Sequence, residues 1–165
     1  MERTIRGNSP IIEESAVVSD QAYLIGNVEI KDEASVWPFV CIRGDTGPVE
    51  IGRRTNVQEF SMIHGSSIGD NVTVGHNVVI DFAEVKSNSL IGITSVILDD
   101  ATVESNCLVA AGSVVMSGQT IPEGHLAYGT PAQTKELTDE QRAMIERITD
   151  HYVELGQEFA AEDGI

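Results

Sequence analysis

Aliphatic residues recur along this chain at every sixth position. Ile12, Val18, Leu24, Ile30, Val36 and Ile42 form the first run; Ile51, Val57 and Ile63 the second; Ile68, Val74 and Ile80 the third. A fourth run follows through Val85, Ile91, Ile97, Val103, Val109, Val115 and Ile121. A step of six matches neither the 3.6-residue period of a helix nor the two-residue alternation of an ordinary strand. It is the pattern of a hexapeptide-repeat β-helix, in which each hexad supplies one short strand and one turn. Three hexads close a triangular coil, so these 19 positions predict an all-β solenoid of about six coils of parallel strands. The phase breaks at only three places. One is an inserted loop around Thr46, Gly47 and Pro48; the others are single-residue slips between Ile63 and Ile68 and between Ile80 and Val85. Four positions after many of the aliphatic residues stands a small or β-branched one, among them Ala22, Ala34, Thr55, Ser61, Ser89, Ser95 and Ser113, as a narrow corner requires.

After Ile121 the frame is expected to end, because Pro122, Gly124, Gly129 and Pro131 read as an irregular connection. Thr138 then opens a helix. Its hydroxyl can cap the amide of Gln141, Gln141 can complete a capping box, and Asp139 and Glu140 suit the positive end of the helix dipole. Ile145, Ile148, Tyr152, Leu155 and Phe159 follow at steps of three and four, giving one apolar stripe to pack on the solenoid or on a neighbouring subunit. The chain thus divides into a β-helix with its closing connection, residues 1–135, and a C-terminal helix, residues 136–165, with the last residues AAEDGI frayed.

The hexad frame converts sequence numbers into positions. Arg43, His64 and Asp81 each follow an aliphatic residue by one and lie three hexads apart, so they stack in one column on successive coils, about 4.8 Å apart. His64 and Asp81 are then close enough to share an ion. Glu59 and His76 each follow by two and stack in a second column on the adjacent side, with Gln58 beside Glu59. A corner separates His76 from His64. A second chain could bring its own His76 to the first chain's His64. His125 and His151 read as solvated or interface side chains.

Composition narrows the function. The chain carries 10 basic and 26 acidic residues, a formal charge of -16, which argues against nucleic acid and against anionic membrane surfaces. Lysines are scarce beside the acid excess, a combination that resembles proteins of salt-loving organisms. No stretch has the apolar length of a signal peptide or a membrane span, so a cytoplasmic protein is expected. Cys41 and Cys107 are far apart and form no CxxC pair; both read as small buried apolar residues.

One family joins these features. Arg43-Gly44-Asp45, Gly47-Pro48-Val49-Glu50-Ile51-Gly52, Thr55-Asn56-Val57-Gln58-Glu59, Ile63-His64, Val74-Gly75-His76 and Tyr128-Gly129-Thr130-Pro131-Ala132 resemble the gamma-class carbonic anhydrases over nearly the whole chain. The resemblance implies a left-handed β-helix, a homotrimer, and Zn2+ or Fe2+ held between subunits for the reversible hydration of carbon dioxide to bicarbonate. It makes His64 a metal ligand from one subunit and His76 a ligand from the next. Gln58 and Glu59 become the groups that hydrogen-bond the reacting water or bicarbonate, and Arg43 with Asp45 an intersubunit pair.

The chain also departs from that family's pattern. Asp81 occupies the place of its third ligand histidine, Glu59 stands where aspartate is usual, and Thr46 where some members carry a glutamate. A loop common after the first ligand histidine is missing. Two histidines and a carboxylate form a known catalytic zinc set that also suits iron(II), so Asp81 is the expected third ligand. Two other classes stay open: an acyltransferase or thioesterase of the wider hexapeptide-repeat superfamily, and a trimeric scaffold without catalysis.

Overall fold

In the computed structural model, which describes residues 1–162, the hexads wind into a left-handed parallel β-helix of about 7 turns with a helix along one side. Each aliphatic residue pairs in register with the one three hexads later, so the coil has three flat faces. Leu24, Ile42, Ile63, Ile80, Ile97 and Val115 line the inside of the first, here called the site face. Ile12, Ile30, Ile51, Ile68, Val85, Val103 and Ile121 line the second, the charged face. Val18, Val36, Val57, Val74, Ile91 and Val109 line the third, the helix face. From Leu24 to Ile121 these side chains are essentially inaccessible to water, a continuous core that removes apolar surface at roughly 25 cal/mol per Å².

The corners are made by residues that tolerate a left-handed backbone. Asn71, Asn88 and Asn106 stack along one corner at φ between 55° and 59°, a conformation in which asparagine is enriched because its short amide bonds locally. The expected small corner residues are buried and tie one coil to the next. Thr55 donates to the carbonyl of Gly69 at 2.7 Å and Ser61 to that of Gly75 at 2.8 Å.

The frame outlasts the sequence expectation by one step. His125–Tyr128 adds a parallel strand to the helix face with Ala127 opposite Val109, six residues after Ile121. Alanine hid this rung from a search for large aliphatics, which is why about seven turns form where six were expected. The connection then folds back as an antiparallel strand, Gln133–Glu136, that pairs with the last rung.

Thr138 caps the helix Asp139–Ala161 with the expected box: its hydroxyl accepts from the Gln141 amide, and the Gln141 side chain accepts from the Thr138 amide. The seam is rolled from the expected stripe. Ile145, Thr149, Val153 and Gly156 are the buried residues, while Ile148, Tyr152 and Leu155 flank them half-buried. A flat sheet face admits the smaller residues most closely, and Ser35 fits against Gly156 where a Cβ would stand 3.2 Å away. Trp37 fills the space beside this seam, edge-on to Tyr152 and Phe159. The expected frayed end falls partly on residues 163–165, outside the described residues. No helix among the described residues is long and apolar enough to cross a membrane.

Candidate metal and active site

The inserted loop builds one wall of the site. At the corner between the site and charged faces, strand Tyr23–Ile30 crosses from Gly26 to Val28 with one residue, whereas Cys41–Ile51 crosses from Gly44 to Val49 with four. The extra residues cannot enter the filled interior, so they bulge outward. That puts Asp45 and Thr46 over the ring of His64. Close backbone contact at this corner needs glycine, since a Cβ on Gly44 would stand 2.2 Å from the Asn27 carbonyl.

The predicted column is present: Arg43 pairs with His64 and His64 with Asp81 on successive coils. Asp81 Oδ1 lies 2.8 Å from His64 Nδ1, and Thr46 Oγ1 lies 2.7 Å from Nε2. Both ring nitrogens of His64 are thus engaged, so an ion can bind this histidine only in place of one of these bonds. Phe82 packs edge-on against the ring at 4.6 Å, and Gly65 leaves room for it, because a Cβ there would meet Phe82 at 2.5 Å.

Arg43 and Asp45 pair within the chain at 2.8 Å. The two residues are only two apart on the bulged strand, so the salt bridge closes locally. Its hydrogen bond holds the Asp45 carboxyl below the ordinary range and the Arg43 guanidinium above its own. The other Asp45 oxygen, Oδ1, is buried without a hydrogen-bond partner among the described residues, 3.4 Å from His64 Nε2.

The second column is present around the corner. Glu59 Oε2 lies 2.7 Å from His76 Nδ1, so the carboxylate fixes the ring and leaves Nε2 without a protein partner among the described residues. Imidazoles that bind a metal are usually held by a bond of this kind, since it sets tautomer and orientation. Glu59 is therefore committed to His76 in this chain. Gln58 is buried beside it, with its amide donating to Asn56 Oδ1 at 3.0 Å. Sequence reasoning missed Thr46 and Phe82 as neighbours of His64. The signal for Thr46 was available, because an insertion at a corner must bulge outward next to the column on that face.

Among the described residues no three histidine, cysteine or carboxylate side chains are gathered to hold a metal. His64 and Asp81 supply two donors and His76 belongs to the next column around the corner, so one chain fits an ion only in part. The two-donor arrangement fits a site completed by a second copy.

Among known proteins the chain is 43% identical over 162 residues to the carbonic anhydrase of Geobacillus kaustophilus, covering 94% of this chain and 89% of that one. The chain belongs to the gamma-class carbonic anhydrase family. It is also 46% identical over 156 residues to a Bacillus subtilis protein named an uncharacterized transferase, YtoA, covering 91% of each. A hexapeptide transferase family protein from Anaplasma phagocytophilum superposes with a TM-score of 0.93 at 28% identity, covering 96% of this chain and 97% of that one. No family model matches the chain. The gamma-class scaffold is therefore shared with proteins that carry transferase names, and the chemistry has to be argued from the site.

Proposed function

We propose that this gamma-class protein is a metal-dependent carbonic anhydrase whose active site forms between copies of the chain in a homotrimer. The observation that carries the reading is the division of donors: His64 with Asp81 on the site face, and a carboxylate-held His76 around the corner with its Nε2 free. His76 of a second copy completes the set. The outer surface of the site face supports this assembly. Val79 and Met116 are exposed there, and Phe39 and Phe60 stack in the open on its corner, while the helix covers one of the other faces and charge covers the last. A second copy is the cover that such an apolar face requires.

Zn2+ or Fe2+ bound there would lower the pKa of water toward neutrality and so supply the nucleophile for carbon dioxide. The chain's own residues do the rest. Asp81 joins His64 as a donor, Glu59 holds His76, and the Arg43–Asp45 pair fixes the wall over His64. Asp45 Oδ1 is a buried acceptor within reach of the site and is the group best placed to accept a hydrogen bond there. Phe82 and Tyr152 border the two histidine columns with apolar surface. Burial, then the charge of Glu59, pushes the Tyr152 hydroxyl above its ordinary pKa, so it stays a proton donor.

The test is metal content per chain on protein purified anaerobically, followed on the same sample by stopped-flow carbon dioxide hydration. Near one metal per chain with hydration supports the reading. Protein that stays metal-free after zinc or iron is supplied overturns it in favour of a scaffold. Turnover of an acyl coenzyme A ester with no hydration would instead favour the chemistry that the transferase-named relatives suggest.

A further inference from the structure

The helix and the sheet face beneath it do not close on each other along their whole length. On the helix face the residues that follow the core positions by one are Trp37, Gln58, Gly75, Gly92 and Ala110, in order along the solenoid axis. Trp37 fills the space under the C-terminal half of the helix, and Gln58 stands where the seam opens. Gly75, Gly92 and Ala110 leave it open under the N-terminal half, although Gly92 has a local reason too, since a Cβ there would stand 2.6 Å from Ala111 N. The result is a groove of about 690 Å3. Well-packed helix-on-sheet contacts leave few voids larger than a water molecule, and this volume falls within the roughly 300–1,000 Å3 of small-molecule sites.

The groove is apolar on its floor and basic on its rim. Leu90, Leu108 and Ala110 form the sheet side and Met144 and Ile148 the helix side. Arg147 and His151, one helical turn apart, edge it, and Arg147 makes no ion pair or hydrogen bond among the described residues. Asp150, three residues further along the helix, is taken up by Arg54 at 2.7 Å. In a chain of formal charge -16, an uncommitted arginine beside an apolar groove is a local reversal of sign.

From this geometry we infer that the groove binds a small amphipathic carboxylate, with its apolar body along Leu90, Leu108 and Ala110 and its acidic head on Arg147. An apolar body alone would leave the guanidinium unpaired; a carboxylate matches its planar fork of donors with two parallel bonds. The groove lies apart from the His64–Asp81 pair but reaches Gln58 and His76 of the second column, so its ligand borders the proposed metal site while its acidic head, on Arg147, needs no metal.

The experiment is calorimetric titration of the assembled protein with octanoate and, in parallel, with 1-octanol, for the natural sequence and the variants Arg147→Glu and Ala110→Phe. Octanoate is expected to saturate at one per chain and to bind about tenfold or more tightly than octanol, the ratio that a charge-assisted pair gives. Arg147→Glu should remove that advantage with an unchanged melting temperature, because the side chain is exposed and unpaired. Ala110→Phe should block both ligands by filling the floor, and circular dichroism checks that it folds. Equal binding of octanol and octanoate, undiminished octanoate binding in Arg147→Glu, or no saturable binding of either ligand to the natural sequence would each overturn the assignment.

Discussion

Asp81 meets His64 at 2.8 Å although the two are 17 residues apart in sequence, because each stands one place after a core isoleucine on successive coils. The contact is made at Nδ1, while Thr46 meets Nε2, so the two bonds offer an ion two different ways onto the same ring. If Asp81 shares the ion with His64, Asp81→Ala removes a ligand and should weaken metal binding by more than the roughly ten- to hundredfold that losing an orienting outer carboxylate costs. Thr46→Ala should leave it nearly unchanged. Competition with a chromogenic chelator measures both. A tighter site in Thr46→Ala, with a loss of only about ten- to a hundredfold in Asp81→Ala, would place the ion at Nε2 and leave Asp81 as the residue that orients His64.

Sharing between subunits has its own signature. His64→Ala and His76→Ala should each bind no metal as pure proteins. Mixed trimers refolded from the two should regain some, because a His64 from one chain can then meet a His76 from another. Metal analysis of the separated mixed species reads the outcome directly; no recovery in the mixtures would mean that one chain builds its site alone.

The core makes a prediction about stability. Ile80 is wholly buried between Ile63 and Ile97 on the coil that also presents Asp81. Ile80→Ala should cost about 2–5 kcal/mol, the range for deleting a buried branched side chain into a packed interior. Denaturant unfolding checks it, and a change below about 0.5 kcal/mol, the usual size of a surface substitution, would show that the column is not a close-packed core.

Much of this arrangement was legible because a solenoid turns sequence spacing into spatial position. The step of six alone places Arg43, His64 and Asp81 in one column and Glu59 and His76 in another. What spacing could not give was direction within a position. The helix rolled until Val153 and Gly156, rather than Leu155 and Phe159, faced the sheet. Ala127 escaped notice because a core position near the end of a coil accepts a small residue, and the period was traced through large ones.

The two cysteines should differ in accessibility. Burial pushes both thiols above their ordinary pKa, and Cys107 is wholly buried while Cys41 is half-exposed on the site face. A thiol reagent at neutral pH should therefore modify Cys41 slowly and Cys107 only on unfolding. If a second copy covers the site face, Cys41 should be further protected at protein concentrations where the trimer forms. Labelling followed by mass spectrometry across a dilution series tests this, and a Cys41 rate independent of concentration would count against that face as the interface.

Salt should act on the charged face. Glu29 stands directly opposite Glu50 on neighbouring coils, and Glu84 lies further along the same column beyond Ser67. Like charges facing each other across a parallel pair oppose the coil. Lys31 bonds Glu29 and Lys86 bonds Glu104, but two lysines cannot offset the column together with a net charge of -16. At about 0.1 M salt the Debye length of roughly 10 Å leaves this repulsion largely in place, whereas at about 1 M it falls to roughly 3 Å, shorter than the strand spacing. The melting temperature should rise between those concentrations, and replacing Glu50 by Gln should recover part of the rise at low salt. An unchanged melting temperature across that range would mean that the acid excess is neutral for stability, and that the resemblance to salt-adapted proteins is one of composition alone.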